Sequence, residues 1–136
     1  MKKRTINPLL SVVVFLTGTG VLPACDHAQV MTVQATGDNS SIVLYGNREM
    51  AGRGDAGSPE KIVIRVPQNN TNSRTFYFGM GPWNDADLDR LAGNIDSVVI
   101  TNSNGTERLK DKSTLRAYLL DHRKGMAHNA LLLEAK

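Results

Sequence analysis

Alternation of polar and apolar residues is the clearest pattern in the middle of the chain. Residues 61–66 read KIVIRV, in which Lys61, Val63 and Arg65 alternate with three aliphatic residues. This period of two is typical of a β-strand with one face in water. Runs rich in β-branched or aromatic residues predict further strands at 30–35, 41–45, 74–78, 95–101 and 106–109. Residues 130–134 fit a closing strand, and a helix is the alternative there.

Short polar segments predict where the chain reverses. Residues 36–39, with the sequence TGDN, have the chemistry of a hairpin loop, so the strands at 30–35 and 41–45 are expected to pair antiparallel. Asn104 and Gly105 form a strong two-residue hairpin turn. Residues 46–60 hold four glycines and a proline without an apolar period, and they are predicted to be a loop.

Two segments carry helix signals. Asn84 stands before a first turn with Asp85 and Asp87, and carboxylates are favoured there because the amide hydrogens are unpaired at a helix N-terminus. The buried residues of this first helix would be Leu88 and Leu91, with Ile95 as a further candidate, and Gly93 and Asn94 would end it.

The second predicted helix spans residues 112–124. Ser113 is its expected N-cap and Gly125 its expected C-terminal cap. One face would carry Leu115, Leu119 and His122. Together these elements predict an α+β domain, with a mostly antiparallel sheet and one or two helices on one face.

The N-terminal segment has the three parts of a secretory signal peptide. A basic start at residues 2–4 is followed by an apolar run at 9–22 and by small-residue chemistry at Ala24. Because Thr-Gly-Thr-Gly interrupts the run at 17–20, it is too short and too broken for a membrane-spanning helix, which needs about 20 apolar residues. Residues 1–24 are therefore expected to be removed, leaving 25–29 as a tether and 30–136 as a single domain.

The charge balance changes once the signal is set aside. Three of the sixteen Lys and Arg residues lie in the signal, so thirteen remain against thirteen Asp and Glu. The mature domain is neutral, and the whole-chain pI of about 9.2 is no reason to expect a nucleic-acid partner.

Cys25 is the only cysteine, and it follows the signal directly. A lone thiol in an oxidising compartment has no partner for an internal disulfide. The stretch Leu22, Pro23, Ala24, Cys25 resembles the lipobox of bacterial lipoproteins, from which only Pro23 departs. The resemblance implies a diacylglycerol thioether and an N-acyl group on Cys25. The resemblance to enterobacterial lipoproteins also implies that Asp26, directly after the cysteine, retains the protein at the periplasmic face of the inner membrane. The alternatives are the outer membrane and secretion.

The start of the chain also resembles small inner-membrane lipoproteins encoded by enterobacterial prophages. The likeness covers the signal, the Cys25-Asp26 junction and the overall size, and no motif in residues 30–136 contributes to it. That group is of largely unknown role, and an excess of such proteins can provoke an envelope-stress response.

Residues 76–83 are the best candidate for a binding surface in the domain. Strand alternation places Phe76 and Phe78 on one face and Tyr77 on the other. An exposed Tyr77 beside Trp83 would form a candidate partner-binding patch. The favoured alternative is a core strand followed by a corner that buries Trp83 under the sheet.

Other motifs point away from a cofactor or metal. Asp85, Asp87 and Asp89 alternate as in a calcium loop, but Arg stands at position 90 and the distal glutamate is missing, so helix-start carboxylates explain them better. The three histidines have no ligand spacing.

These observations favour a non-enzymatic lipid-anchored envelope protein that contacts another envelope component. The alternative is a periplasmic enzyme or enzyme inhibitor that acts through the 46–60 loop with Glu49, Asp55 and Glu60.

Overall fold

Strands and helices account for most of the domain. The computed structural model describes residues 27–52, 60–67 and 72–136, and within them it contains two four-stranded sheets and two α-helices. This confirms the predicted α+β class. The strands are β1 Ala28–Ala35, β2 Ser41–Asn47, β3 Lys61–Val66, β4 Asn72–Met80, β5 Ile95–Asn102, β6 Gly105–Leu109, β7 Arg123–Lys124 and β8 Ala130–Ala135. The helices are α1 Asp85–Asn94 and α2 Lys112–Asp121, and a 3-10 turn spans Arg48–Ala51.

The strands are divided between two sheets. The first sheet has the order β4-β1-β8-β7, in which β1 and β8 are parallel and the other neighbours antiparallel. The second sheet has the order β3-β2-β5-β6 and is antiparallel throughout. Side chains from both sheets and both helices form one hydrophobic core. Strands with one buried face suit a single covered sheet as well as two sheets, so the alternation did not distinguish these arrangements.

The predicted hairpin between the first two strands is wrong. β1 pairs with β4 and β8, whereas β2 pairs with β3 and β5. The turn between them does form, because Ser40 donates its backbone N–H (3.2 Å) and its hydroxyl (2.6 Å) to the carbonyl of Gly37. Turn chemistry therefore predicted the reversal correctly. Both edges of β1 are occupied by other strands, and for that reason β2 crosses into the second sheet.

The start of α1 follows the prediction. Asn84 is the N-cap, and its side-chain oxygen accepts from the N–H of Asp87 at 2.9 Å. Leu88 and Leu91 are buried. Ile95 is buried as well, but it is already the first residue of β5.

The ends of α2 differ from the prediction. Its N-cap is Asp111, whose carboxylate accepts from the N–H of Thr114 at 3.0 Å, while Ser113 donates its hydroxyl to the same carboxylate. The helix ends at Asp121, because the next residues leave it to form β7 against β8. Gly125, with φ 85°, belongs to the turn after β7 and does not cap the helix.

β8 and β1 lie side by side in the first sheet. The strand alternative for 130–134 is confirmed, since Leu131 and Leu133 are buried in β8. β1 begins at Ala28, two residues before the predicted strand of 30–35. Gln29 is a buried residue of β1 that donates to the carbonyl of Pro82 at 3.1 Å. Neither α-helix of the described residues has the length and apolar character needed to cross a bilayer.

Candidate functional site

The predicted binding segment forms the outer edge of the first sheet and the corner that follows it. β4 pairs with β1 on one side and is the terminal strand of its sheet. Phe76 and Phe78 pack against the core, and the Tyr77 side chain is 66% exposed on the opposite face. The alternation predicted for these three aromatic residues is thus confirmed.

Trp83 lies in the core and not on the surface. Its side chain is 2% exposed, and its ring meets the ring of Phe78 edge to face with centroids 4.8 Å apart. The indole Nε1–H donates to the carbonyl of Val30 at 3.0 Å. Of the two candidate partner-binding residues, only Tyr77 is available to a partner at the surface. The buried-corner alternative is the arrangement that the structure adopts.

Met80 is a surface residue that the sequence reasoning missed. It is 62% exposed, and together with Tyr77 it lines a shallow hollow of about 560 Å³. Simple alternation would have placed Met80 on the inner face with Phe78. The pairing of β4 with β1 shifts register between Gln29 and Val30, which is a β-bulge and turns the end of β4 outward. The glycines on either side of Met80 were the only local hint of this irregularity.

We call this surface the Tyr77 hollow. It is lined by Ala51, Thr75, Phe76, Tyr77, Gly79 and Met80. Its wall includes the end of the 3-10 turn, where Gly52 lies against the backbone of β4. A Cβ at Gly52 would come within 2.3 Å of the Tyr77 carbonyl oxygen, and its φ of 97° also favours glycine.

The 46–60 loop, the alternative site, is described at its two ends. Glu49 accepts from the side-chain amide of Asn94 at 3.0 Å, and Asn94 in turn accepts from Asn47 at 2.9 Å. The carboxylate of Glu60 lies 3.5 Å from Arg48. These contacts tie the ends of the loop to each other and to α1. Asp55 lies outside the described residues.

The three alternating aspartates at the start of α1 contact cationic side chains. Asp85 and Asp89 both pair with Arg116 of α2, and Asp87 lies 3.4 Å from Arg90. They therefore link the two helices and stabilise the start of α1. In residues 27–52, 60–67 and 72–136, no group of three or more His, Cys, Asp or Glu residues is placed to hold a metal ion.

Among the residues that the structure describes, the largest pKa shift belongs to Tyr118 of α2. Burial, reinforced by the carboxylates of Glu107 and Glu134, raises the pKa of the Tyr118 phenol to about 12. Its hydroxyl is enclosed without a hydrogen-bond partner, and its ring stacks on His122 with centroids 4.0 Å apart. Hydrogen bonds from Ser113 and Thr114 lower the pKa of Asp111 at the helix cap. Both groups belong to the α2 region and lie outside the Tyr77 hollow.

Comparisons with models of protein families, with curated proteins and with solved structures found no match. Cys25 and Asp26, the predicted lipidation and sorting residues, lie outside the described residues. Their roles stay predictions from the sequence.

Proposed function

We propose that this chain is a small, non-enzymatic, lipid-anchored protein of the bacterial envelope, held at the periplasmic face of the inner membrane. In this proposal the Tyr77 hollow contacts another envelope component. The observation that carries it is the place of Cys25, which directly follows a signal-like segment and stands three positions before the first residue of β1. Modification of Cys25 would anchor a folded domain through a very short connection.

Two or more acyl chains support this form of attachment. A single chain gives marginal and reversible membrane binding, whereas two give a stable anchor, at about 0.8 kcal/mol for each buried CH₂. Acylation also consumes the one thiol of the chain. The domain then needs no disulfide, and its stability comes from the core shared by the two sheets and the helices.

The lipid anchor is tested by metabolic labelling with palmitate. The wild-type protein is expected to incorporate label, and Cys25→Ser is expected to lose it while the domain, which starts at Ala28, still folds. Label retained by Cys25→Ser would contradict lipidation at this residue. In the same cells, Asp26→Ser should keep the label and move toward the outer-membrane fraction, and unchanged fractionation would remove the sorting role of Asp26.

The partner contact is tested with a photo-crosslinking residue in place of Tyr77 in intact cells. A matched control carries the same residue in place of Val63, which is 46% exposed on the second sheet. A discrete adduct at position 77 that is absent at position 63 is expected. Equal capture at both positions, or none at 77, would contradict the role of the Tyr77 hollow.

A further inference from the structure

We infer that one end of the first sheet rests on the bilayer surface, with Met126 and Lys124 as the contacting side chains. Met80, which lines the Tyr77 hollow, lies at the same end. This inference rests on the proposed function, because it requires that Cys25 be acylated. We call this region the N-terminal end of the first sheet, and it consists of residues 27–28, 80–83 and 124–130. The partner that it fits is a lipid bilayer with anionic headgroups.

The topology of the first sheet brings four strand ends together here. β1 is antiparallel to β4 and parallel to β8, and β8 is antiparallel to β7. The starts of β1 and β8 therefore lie beside the ends of β4 and β7. In the register, Ala28 lies opposite Met80, and Lys124 lies opposite Ala130.

Hydrogen bonds hold the intervening turns around the first residues of β1. The N–H of Gly81 donates to the carbonyl of His27 at 2.8 Å, and the N–H of Trp83 donates to the carbonyl of His128 at 2.9 Å. Asn129 donates its side-chain amide to the carbonyl of Ala28 at 3.0 Å. The end that carries the methionines is thus a fixed part of the fold.

The reach of the chain places this end at the membrane. Two residues separate Cys25 from Ala28, so the three Cα–Cα steps between them, at about 3.3–3.6 Å each, span at most about 11 Å. The headgroup region on each side of the hydrocarbon core is about 5–8 Å thick. Acyl chains inserted at Cys25 would therefore hold the N-terminal end of the first sheet close to the headgroups. The opposite end of β1, at Ala35, lies about 23 Å farther along the strand.

The side chains at this end suit such a surface. Met126 is fully exposed and Met80 is 62% exposed, and these are two of the four large hydrophobic side chains that the described residues expose. Lys124 is exposed beside them at the end of β7. Long side chains of this kind bury apolar atoms at the interface, while an ammonium group stays among anionic headgroups.

The test uses the purified mature protein with acylated Cys25, reconstituted into vesicles of phosphatidylethanolamine and phosphatidylglycerol. Because acylation occupies the native thiol, Met126→Cys provides a single site for a polarity-sensitive nitrobenzoxadiazole dye. Asp38→Cys, in the exposed turn at the far end of β1, is the matched control. We expect a blue shift and a several-fold rise in emission at position 126, with quenching by spin-labelled lipid, and a water-like spectrum at position 38.

Each other outcome overturns the inference in a distinguishable way. If mass spectrometry shows acylated Cys25 and both dyes remain water-like, the membrane contact is wrong and the proposed lipid anchor stands. A shift at 126 that disappears when the protein is diluted tenfold in lipid would assign this end to a second copy of the chain. A bare Cys25 would overturn the proposed function, and the membrane contact with it.

Discussion

The two sides of residues 76–83 differ in what their aromatic and apolar side chains do. On the inner side, Phe78 packs against Trp83, whose indole also donates to the carbonyl of Val30. On the outer side, Tyr77 and Met80 are each more than 60% exposed and line an open hollow. Neighbouring residues of β4 and the corner after it therefore stabilise the fold on one side and are available for recognition on the other.

The difference shows that residue type alone does not identify a binding surface. Trp and Tyr are both typical of protein interfaces, yet only Tyr77 reaches the surface here. The burial of Trp83 follows from a partner for its N–H at Val30, which lies 53 positions away in the sequence. Substitutions on the two sides should separate folding from binding.

The largest effect is expected on the inner side, at Trp83. Trp83→Ala should lower the free energy of unfolding by about 3–5 kcal/mol, because it leaves a cavity beside Phe78. Trp83→Phe is the control. It should lower the free energy of unfolding by about 1–2 kcal/mol, because it removes the hydrogen bond to the Val30 carbonyl. The loss is smaller than for Trp83→Ala because an aromatic ring remains beside Phe78. Urea denaturation measures both. A loss below about 1 kcal/mol for Trp83→Ala would contradict the buried corner.

The second-largest loss of stability is expected at Gly52, which follows the 3-10 turn and lies against the backbone of Tyr77. Gly52→Ala should cost about 2–3 kcal/mol, since φ is 97° and the new Cβ would meet the Tyr77 carbonyl oxygen at 2.3 Å. Gly81→Ala is a matched control, because Gly81 has φ 96° with open space around it. Gly81→Ala should lose less stability than Gly52→Ala. The difference between their urea midpoints measures the cost of the contact with the Tyr77 carbonyl. Equal losses would show that the close approach to β4 contributes nothing.

Tyr118 is half-buried and its hydroxyl is enclosed, whereas Tyr77 is exposed. The folded-state pKa of Tyr118 is about 12, against 10.0 for an ordinary tyrosine, because burial favours the neutral phenol. Between pH 10 and 12 the unfolded chain loses this proton first, so stability is intact below pH 10 and falls by about 2 kcal/mol toward pH 12.

Tyr118→Phe removes both the titration and the unpaired hydroxyl. The free energy of unfolding of Tyr118→Phe at pH 7 should be about 1 kcal/mol higher than that of the wild-type protein. The part of the loss of stability above pH 10 that Tyr118 causes should be absent. Thermal unfolding of the wild-type protein and Tyr118→Phe at pH 7, 10 and 11.5 measures both effects. Parallel pH curves for the two proteins would contradict the burial of the phenol.

Local patterns predicted most of the elements. The alternation of 61–66 matches β3 residue for residue, and Asn84 caps α1 as its sequence context indicated. The errors arise where distant partners decide. The edges of β1 are taken by β4 and β8, and β7 ends α2 early because it pairs with β8. At the start of α2, Asp111 and Ser113 are both competent caps, and their sequence alone did not establish which one the backbone selects.

The candidate site was predictable to the extent that it follows strand alternation. The exposure of Tyr77 follows from the alternation, whereas that of Met80 depends on a bulge set by pairing with β1. The N-terminal end of the first sheet was not predictable locally, because its residues come from four strands that meet through the sheet order. Only the short distance between Cys25 and the domain was evident in the sequence.

The smallest effect on stability is expected at Tyr77. Tyr77→Ala removes a ring that is 66% exposed, so the free energy of unfolding should change by less than about 0.5 kcal/mol. Binding of Tyr77→Ala to the proposed envelope partner should nevertheless weaken, because aromatic side chains supply much of the energy of an interface. Tyr77→Phe is the control, and it should retain most binding if the ring provides the contact. A large fall in the melting temperature of Tyr77→Ala would return Tyr77 to the core and remove the distinction between the two sides of the strand.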